Sequence, residues 1–146
     1  MLVQIGRTPL VTLKRIGRGL PVPVRVKCEH LNLGGSVKDR IALALLDDAE
    51  RRGVLRACMT LVETTAGNTG LGLALVSAIR GGSRVCVMPE KMSLNERIAL
   101  ESLGARVMIT SNASPTSPDN FRHVARRWHP DLALAFCLTE VPGNTR

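Results

Sequence analysis

The chain has 146 residues, 45% apolar and 22% charged, which is enough for one domain with a real core and too apolar for a disordered chain. Its net charge of +8 and pI near 10.4 come from scattered cations, and with aromatics at 2% and no Tyr there is no stacking platform for bases, so nucleic-acid binding is set aside. The longest apolar stretch, residues 41–46, is far short of a membrane span, and the first residues lack the basic and apolar regions of a signal peptide; the expectation is a cytoplasmic protein with no membrane partner.

The elements follow one another as short β-like runs and longer helical ones, a rhythm that predicts an α/β fold with a parallel sheet flanked by helices on both faces. Residues 1–21 do not fit it. Pro9, Pro21, Gly6, Gly17 and Gly19 interrupt them, so they read as an extension or an edge pairing ahead of an α/β unit over 22–146. The first run is 22–28, followed by a loop. Ser36 is the expected N-cap of a helix over 37–52, with Ile41, Ala44, Leu45 and Ala49 as its apolar face and Gly53 ending it. A second run, 59–63, leads through the loop 64–70 into a helix over 71–80, stopped by Gly81-Gly82. A third run is 84–88. Ser93-Leu94-Asn95-Glu96 has the form of a capping box for a helix ending at Gly104. A fourth run, 106–110, and a polar loop precede a helix over 119–128, and 132–138 is a last candidate strand.

Cys28, Cys58, Cys86 and Cys137 form no C-x-x-C pair and read as reduced core residues. His30, His123 and His129 have no ligand spacing with one another or with the cysteines, so no metal site is expected.

Two segments carry candidate chemistry. In Asn32-Leu33-Gly34-Gly35-Ser36-Val37-Lys38-Asp39-Arg40, a Gly-Gly turn delivers Lys38 into the first turn of a helix. The helix dipole disfavours an ammonium there, and a neutral amine is what attacks a carbonyl to form a Schiff base. Spacing alone favours a solvated surface lysine. In Glu63-Thr64-Thr65-Ala66-Gly67-Asn68-Thr69-Gly70, small residues precede the unpaired N–H groups of a helix start, a cradle suited to a carboxylate or phosphate. It is neither a Walker loop nor a G-x-G-x-x-G fingerprint, and a plain helix-entry turn fits the same residues. Lys38 and Asn68 are expected at the ends of different strands of one sheet, converging on one ligand.

Together with Ile5-Gly6-Arg7-Thr8-Pro9-Leu10-Val11 and with Met88-Pro89-Glu90-Lys91-Met92-Ser93 ahead of Leu103-Gly104-Ala105, these segments resemble the cysteine synthase and cystathionine β-synthase family, over residues 5 to about 110. The resemblance implies the N-terminal half of a fold type II, tryptophan synthase β-like enzyme dependent on pyridoxal phosphate. It implies Lys38 as catalytic and cofactor-binding residue, Asn68 as a second cofactor contact through the ring hydroxyl oxygen, and Thr65, Ala66, Gly67, Asn68 and Thr69 as receivers of a substrate α-carboxylate. The implied reaction is β-replacement on a serine-derived amino acid, with sulfide or a thiol as nucleophile, forming cysteine or cystathionine.

Ala66 stands where many members carry Ser, and Leu33 where Pro is usual. The family's phosphate-binding loop lies beyond the residues present, and no second Gly-rich loop follows before Arg146. The chain is therefore expected to be weak or inactive alone. The alternatives are a non-catalytic remnant domain without bound cofactor and a threonine/serine dehydratase-like lyase. Residues 1–21 are expected to pack on the absent C-terminal domain, leaving Ile5, Leu10, Val11, Leu13 and Ile16 without partners. Self-association through this apolar surface, or a family-like homodimer, follows from that expectation.

Overall fold

The computed structural model describes residues 1–56, 59–64, 67–131 and 135–137. Its centre is a four-stranded parallel sheet of β3 (Thr60–Glu63), β4 (Ser83–Pro89), β5 (Arg106–Thr110) and β6 (Ala135–Cys137), in the order β5-β4-β3-β6. Val85 through Pro89 are buried without a break, as expected of a strand covered on both faces. Alternation sorts the side chains. Cys86 and Met88 pack with Ala74 of α2 (Asn68–Arg80) and Leu100 of α3 (Leu94–Ser102). Val62, Val85 and Val87 pack on the other side with Ala125 of α4 (Phe121–Asp131). Helices thus cover both faces of the sheet, as the sequence rhythm predicts.

Helix α1 (Lys38–Arg51) lies against α2 rather than directly over the sheet's centre. Ala42, Leu46 and Ala49 meet Leu73, Val76 and Leu61 in one buried cluster. The apolar face therefore differs from the one expected. Ile41 and Ala44 are exposed and Leu45 is half-buried, while the i, i+4, i+7 row of Ala42, Leu46 and Ala49 turns inward. The physical reason is bulk: Ala42 is small enough to let α2 approach, and Ile41 is not.

The run 22–28 departs further from expectation. Only β2 (Arg25–Lys27) is extended, and it pairs antiparallel with β1 (Leu10–Thr12), outside the parallel sheet. Residues 10–12 of the opening segment thus pair with 25–27 in a two-stranded sheet of their own. Leu10, Val11, Ile16, Leu20, Val22 and Val26 are exposed there, but Ile5, expected to lack a partner, packs with Leu2 against the α1/α2 cluster.

Helix boundaries follow local chemistry. Ser93 and Glu96 form the capping box as read. Helix α2 begins three residues earlier than expected, at Asn68, and ends where Gly81 adopts a left-handed conformation (φ 74°) that frees its N–H to cap the last turn. Helix α4 begins at Phe121 because the Asn120 side chain, rather than Asp119, accepts from the Arg122 N–H (3.1 Å). Of the candidate strand 132–138, residues 135–137 are seen as β6; the others lie outside the described residues.

Candidate functional site

Lys38 is the first residue of α1 and its side chain is exposed. The helix proper starts at Lys38, with Val37 rather than Ser36 at the residue before it, and Val37 already has helical dihedrals, so the turn begins just after Ser36. The Ser36 hydroxyl nonetheless accepts from the Lys38 N–H (3.1 Å), so it still satisfies one helix-start donor. The Gly-Gly turn before it is needed twice. Gly35 has φ 79°, and a Cβ on Gly34 would lie 2.7 Å from Asp39 Oδ1. Asp39, 1% exposed, accepts from the Gly34 N–H (2.5 Å), closing the loop back onto the helix that follows it.

Asn68 is the first residue of α2 and is exposed. Gly67 precedes it with extended backbone, and no side chain among the described residues caps this helix start. The N–H groups and the positive dipole end of such a helix start favour an anion. Thr69 is half-buried behind Asn68. Thr65 and Ala66 lie outside the described residues. Glu63, at the carboxyl end of β3, is buried and accepts from the Thr64 N–H (2.8 Å).

The two helix starts are brought together, though not by the strand ends of one sheet. The strand preceding Lys38 belongs to the separate β1/β2 pair. The contact is helix on helix: a Cβ on Gly72 would lie 3.1 Å from the Lys38 carbonyl oxygen and 3.0 Å from Ala42 Cβ. Gly72 is one turn beyond Asn68, about 6 Å of helix rise along α2.

Several residues around this site were not given roles by sequence reasoning. Arg40 forks onto Glu29, Nε to Oε2 and Nη2 to Oε1, both at 2.7 Å, and also donates to the Gly6 carbonyl (2.7 Å). Asn32, 5% exposed, accepts from the Gly6 N–H and donates to Glu29 Oε2, each at 2.8 Å. Thr8 donates to Glu29 Oε1 (3.0 Å). The Arg40 guanidinium first, with Asn32 and Thr8, lowers the Glu29 carboxyl to a pKa of about 2. The available signal was the juxtaposition of Asn32, Asp39 and Arg40 with Lys38.

At the opposite end of the sheet, a cleft of about 380 Å³ is lined by Leu46, Leu55, Leu61, Ser77 and Arg80. Arg80 is already paired there with Asp47 and with Glu50 (2.9 Å). Cys86 is buried, and burial first, with Glu63 nearby, pushes its thiol up to about 11, which leaves it a poor nucleophile.

The turn bearing the exposed Lys38 thus meets α2 one turn beyond its exposed first residue, Asn68, beside a parallel sheet. The family model of pyridoxal-phosphate dependent enzymes matches residues 1–135, and the chain belongs to that family. A cystathionine beta-synthase of Oryctolagus cuniculus is 48% identical over 143 residues, covering 96% of this chain and 26% of the relative. A cysteine synthase of a Flavobacterium strain is 45% identical over 109 residues, covering 75% of this chain and 35% of the relative. The crystal structure of a hydrogen sulfide-producing enzyme from Fusobacterium nucleatum superposes with a TM-score of 0.83 at 30% identity, over 94% of this chain and 44% of that one. The likeness thus extends past residue 110, where the motifs alone fade. The chain spans 26% and 30% of the first two curated relatives' lengths.

The family's cofactor is pyridoxal phosphate. It requires a reachable primary amine for its aldehyde and donors for its oxygens. Exposed Lys38 offers the amine and the N–H groups at the start of α2 are donors, so the described residues fit the group.

Proposed function

We propose that this chain carries the lysine and substrate-loop portion of a pyridoxal-phosphate site for β-replacement on a serine-derived amino acid, with sulfide or a thiol as second substrate and cysteine or cystathionine as product. The observation that carries the reading is the contact at Gly72, which sets the Lys38 turn against the helix start bearing Asn68. Relatives named cystathionine beta-synthase and cysteine synthase support it.

In this reading Lys38 would hold the cofactor through its Nζ, and Asn68 would donate to the ring hydroxyl oxygen. The segment 65–69 receives the substrate carboxylate at the N-terminus of α2, where N–H groups and dipole favour an anion. When bound, the cofactor supplies the electron sink for a carbanion at the substrate α-carbon. Lys38 Nζ would also be the group to take the substrate α-proton and later return it. A second reading is a folded domain without turnover of its own.

One experiment addresses both. Purified chain is mixed with pyridoxal phosphate, scanned for absorbance at the visible edge, reduced with borohydride and mapped by peptide mass. The expected adduct is on Lys38, and Lys38→Ala loses it with an unchanged circular dichroism spectrum. Product is then assayed with an acylated serine and sulfide. An adduct without product selects the second reading; no preferential adduct on Lys38 refutes the first.

A further inference from the structure

We propose that Glu29, Asn32 and Arg40 form a positioning clamp that ties the opening segment to the Lys38 turn and so aims Lys38; this rests on the reading of Lys38 as the cofactor lysine. The exposed stretch 33–37 carries little packing of its own, and Leu33 and Val37 both face solvent. It is held at its two ends. Before it, buried Asn32 is fixed by the Gly6 N–H and by the Glu29 carbonyl and carboxylate. After it, Asp39 grips the Gly34 N–H and Arg40 forks onto Glu29 while donating to the Gly6 carbonyl. Thr8 closes the ring by donating to Glu29 Oε1, and Lys27 Nζ donates in turn to the Thr8 hydroxyl (2.8 Å) and carbonyl.

Lys38 and Arg40 are two residues apart, so they project from nearly opposite sides of the first turn of α1. Fixing the Arg40 side against Gly6 and Glu29 directs the Lys38 side away from the opening segment. Planar bidentate pairing fixes orientation as well as distance, which a point charge cannot do. Gly6 and Thr8 thereby acquire a task, because the segment that contains them supplies the fixed wall on which the lysine turn is registered.

The test uses the selectivity of labelling among the four lysines, Lys14, Lys27, Lys38 and Lys91. A loss of stability that leaves the chain folded does not move that ratio. The whole chain is exposed to limiting pyridoxal phosphate, reduced with borohydride and mapped. Wild type is expected to label chiefly at Lys38; if it does not, the proposed function fails and the clamp is not what failed. Glu29→Gln and Arg40→Met, shown folded by circular dichroism, are expected to lower the Lys38 share relative to Lys14 and Lys91 by about tenfold, the scale of a lost charge-assisted hydrogen bond. Arg40→Lys, which keeps the charge and loses the fork, is expected to behave like Arg40→Met. Thr8→Val is a milder variant that keeps shape and removes the neutral hydroxyl's bond to Glu29 together with the one it accepts from Lys27 Nζ, and it is expected to lower the share by about twofold to threefold. A Lys38 share at the wild-type level in folded Glu29→Gln and Arg40→Met, or in Thr8→Val should those two fail to fold, overturns the clamp.

Discussion

Substituting Gly72 by Val tests whether the α1/α2 contact sets the site. A side chain at this position begins 3.0 Å from Ala42 Cβ and 3.1 Å from the Lys38 carbonyl oxygen. Neither atom is the end of a flexible side chain, so relief requires α1 to move as a body. Removing Gly from a helix interior regains up to about 1 kcal/mol, and a β-branched replacement recovers roughly half of that. Overpacking costs about 1–3 kcal/mol, at the upper end where two backbone-fixed neighbours are struck. The net expectation is about 2 kcal/mol of destabilisation, a shift of roughly 1 M in the urea midpoint. Gly72→Ala lies between, and Ala42→Gly in its background restores part of the loss by removing the closer contact. Urea melts followed by circular dichroism measure the ladder, and borohydride labelling reports whether Lys38 is displaced. A Gly72→Val midpoint equal to or above wild type would refute the reasoning, because the helices would then have room that the structure denies them.

Two further expectations concern pH. Glu29 has its folded pKa depressed from 4.5 to about 2, so its contribution to stability is complete above about pH 4.5 and is lost as pH falls toward 2; melts of wild type and Glu29→Gln should converge across that window, and a constant difference down to pH 2 would contradict it. Cys86 has its thiol pKa raised from 9.0 to about 11, so the folded chain keeps a proton that the unfolded chain loses, and stability should fall between about pH 9 and 11. Cys86→Ala should lessen that slope, and Cys86 should resist a thiol reagent until urea is added; rapid modification of the folded chain at Cys86 would count against its burial.

The parallel sheet was legible because β3 and β4 are short apolar runs bounded by turn residues, and the capping box at Ser93 announces α3 without help from tertiary structure. The misreadings arise where local pattern is degenerate. In α1, Ile41, Ala42, Leu43, Ala44, Leu45 and Leu46 are all apolar, so periodicity alone cannot say which side turns inward. The choice falls to Gly72 on α2, whose missing side chain admits Ala42. Likewise the Val-rich run before Cys28 carries the composition of a sheet strand. Pro21, Pro23 and the pairing of Val11 with Val26 divert it to the hairpin instead.

The candidate site shows the same division between residue type and placement. Lys38 after a Gly-Gly turn and Asn68 within a Gly-Asn-Thr-Gly turn are visible as types. Their proximity depends on helices that meet through a glycine four positions beyond Asn68, which no local motif encodes. The network around Glu29 is less legible still. It joins Gly6, Thr8, Lys27, Asn32 and Arg40 across separations of up to 34 residues, and each of its members is individually ordinary on a surface. Once joined, they turn an opening segment poor in regular structure into a fixed support for the lysine turn. A loop with two exposed apolar residues is thus held by polar anchors at both ends, since its own packing supplies little.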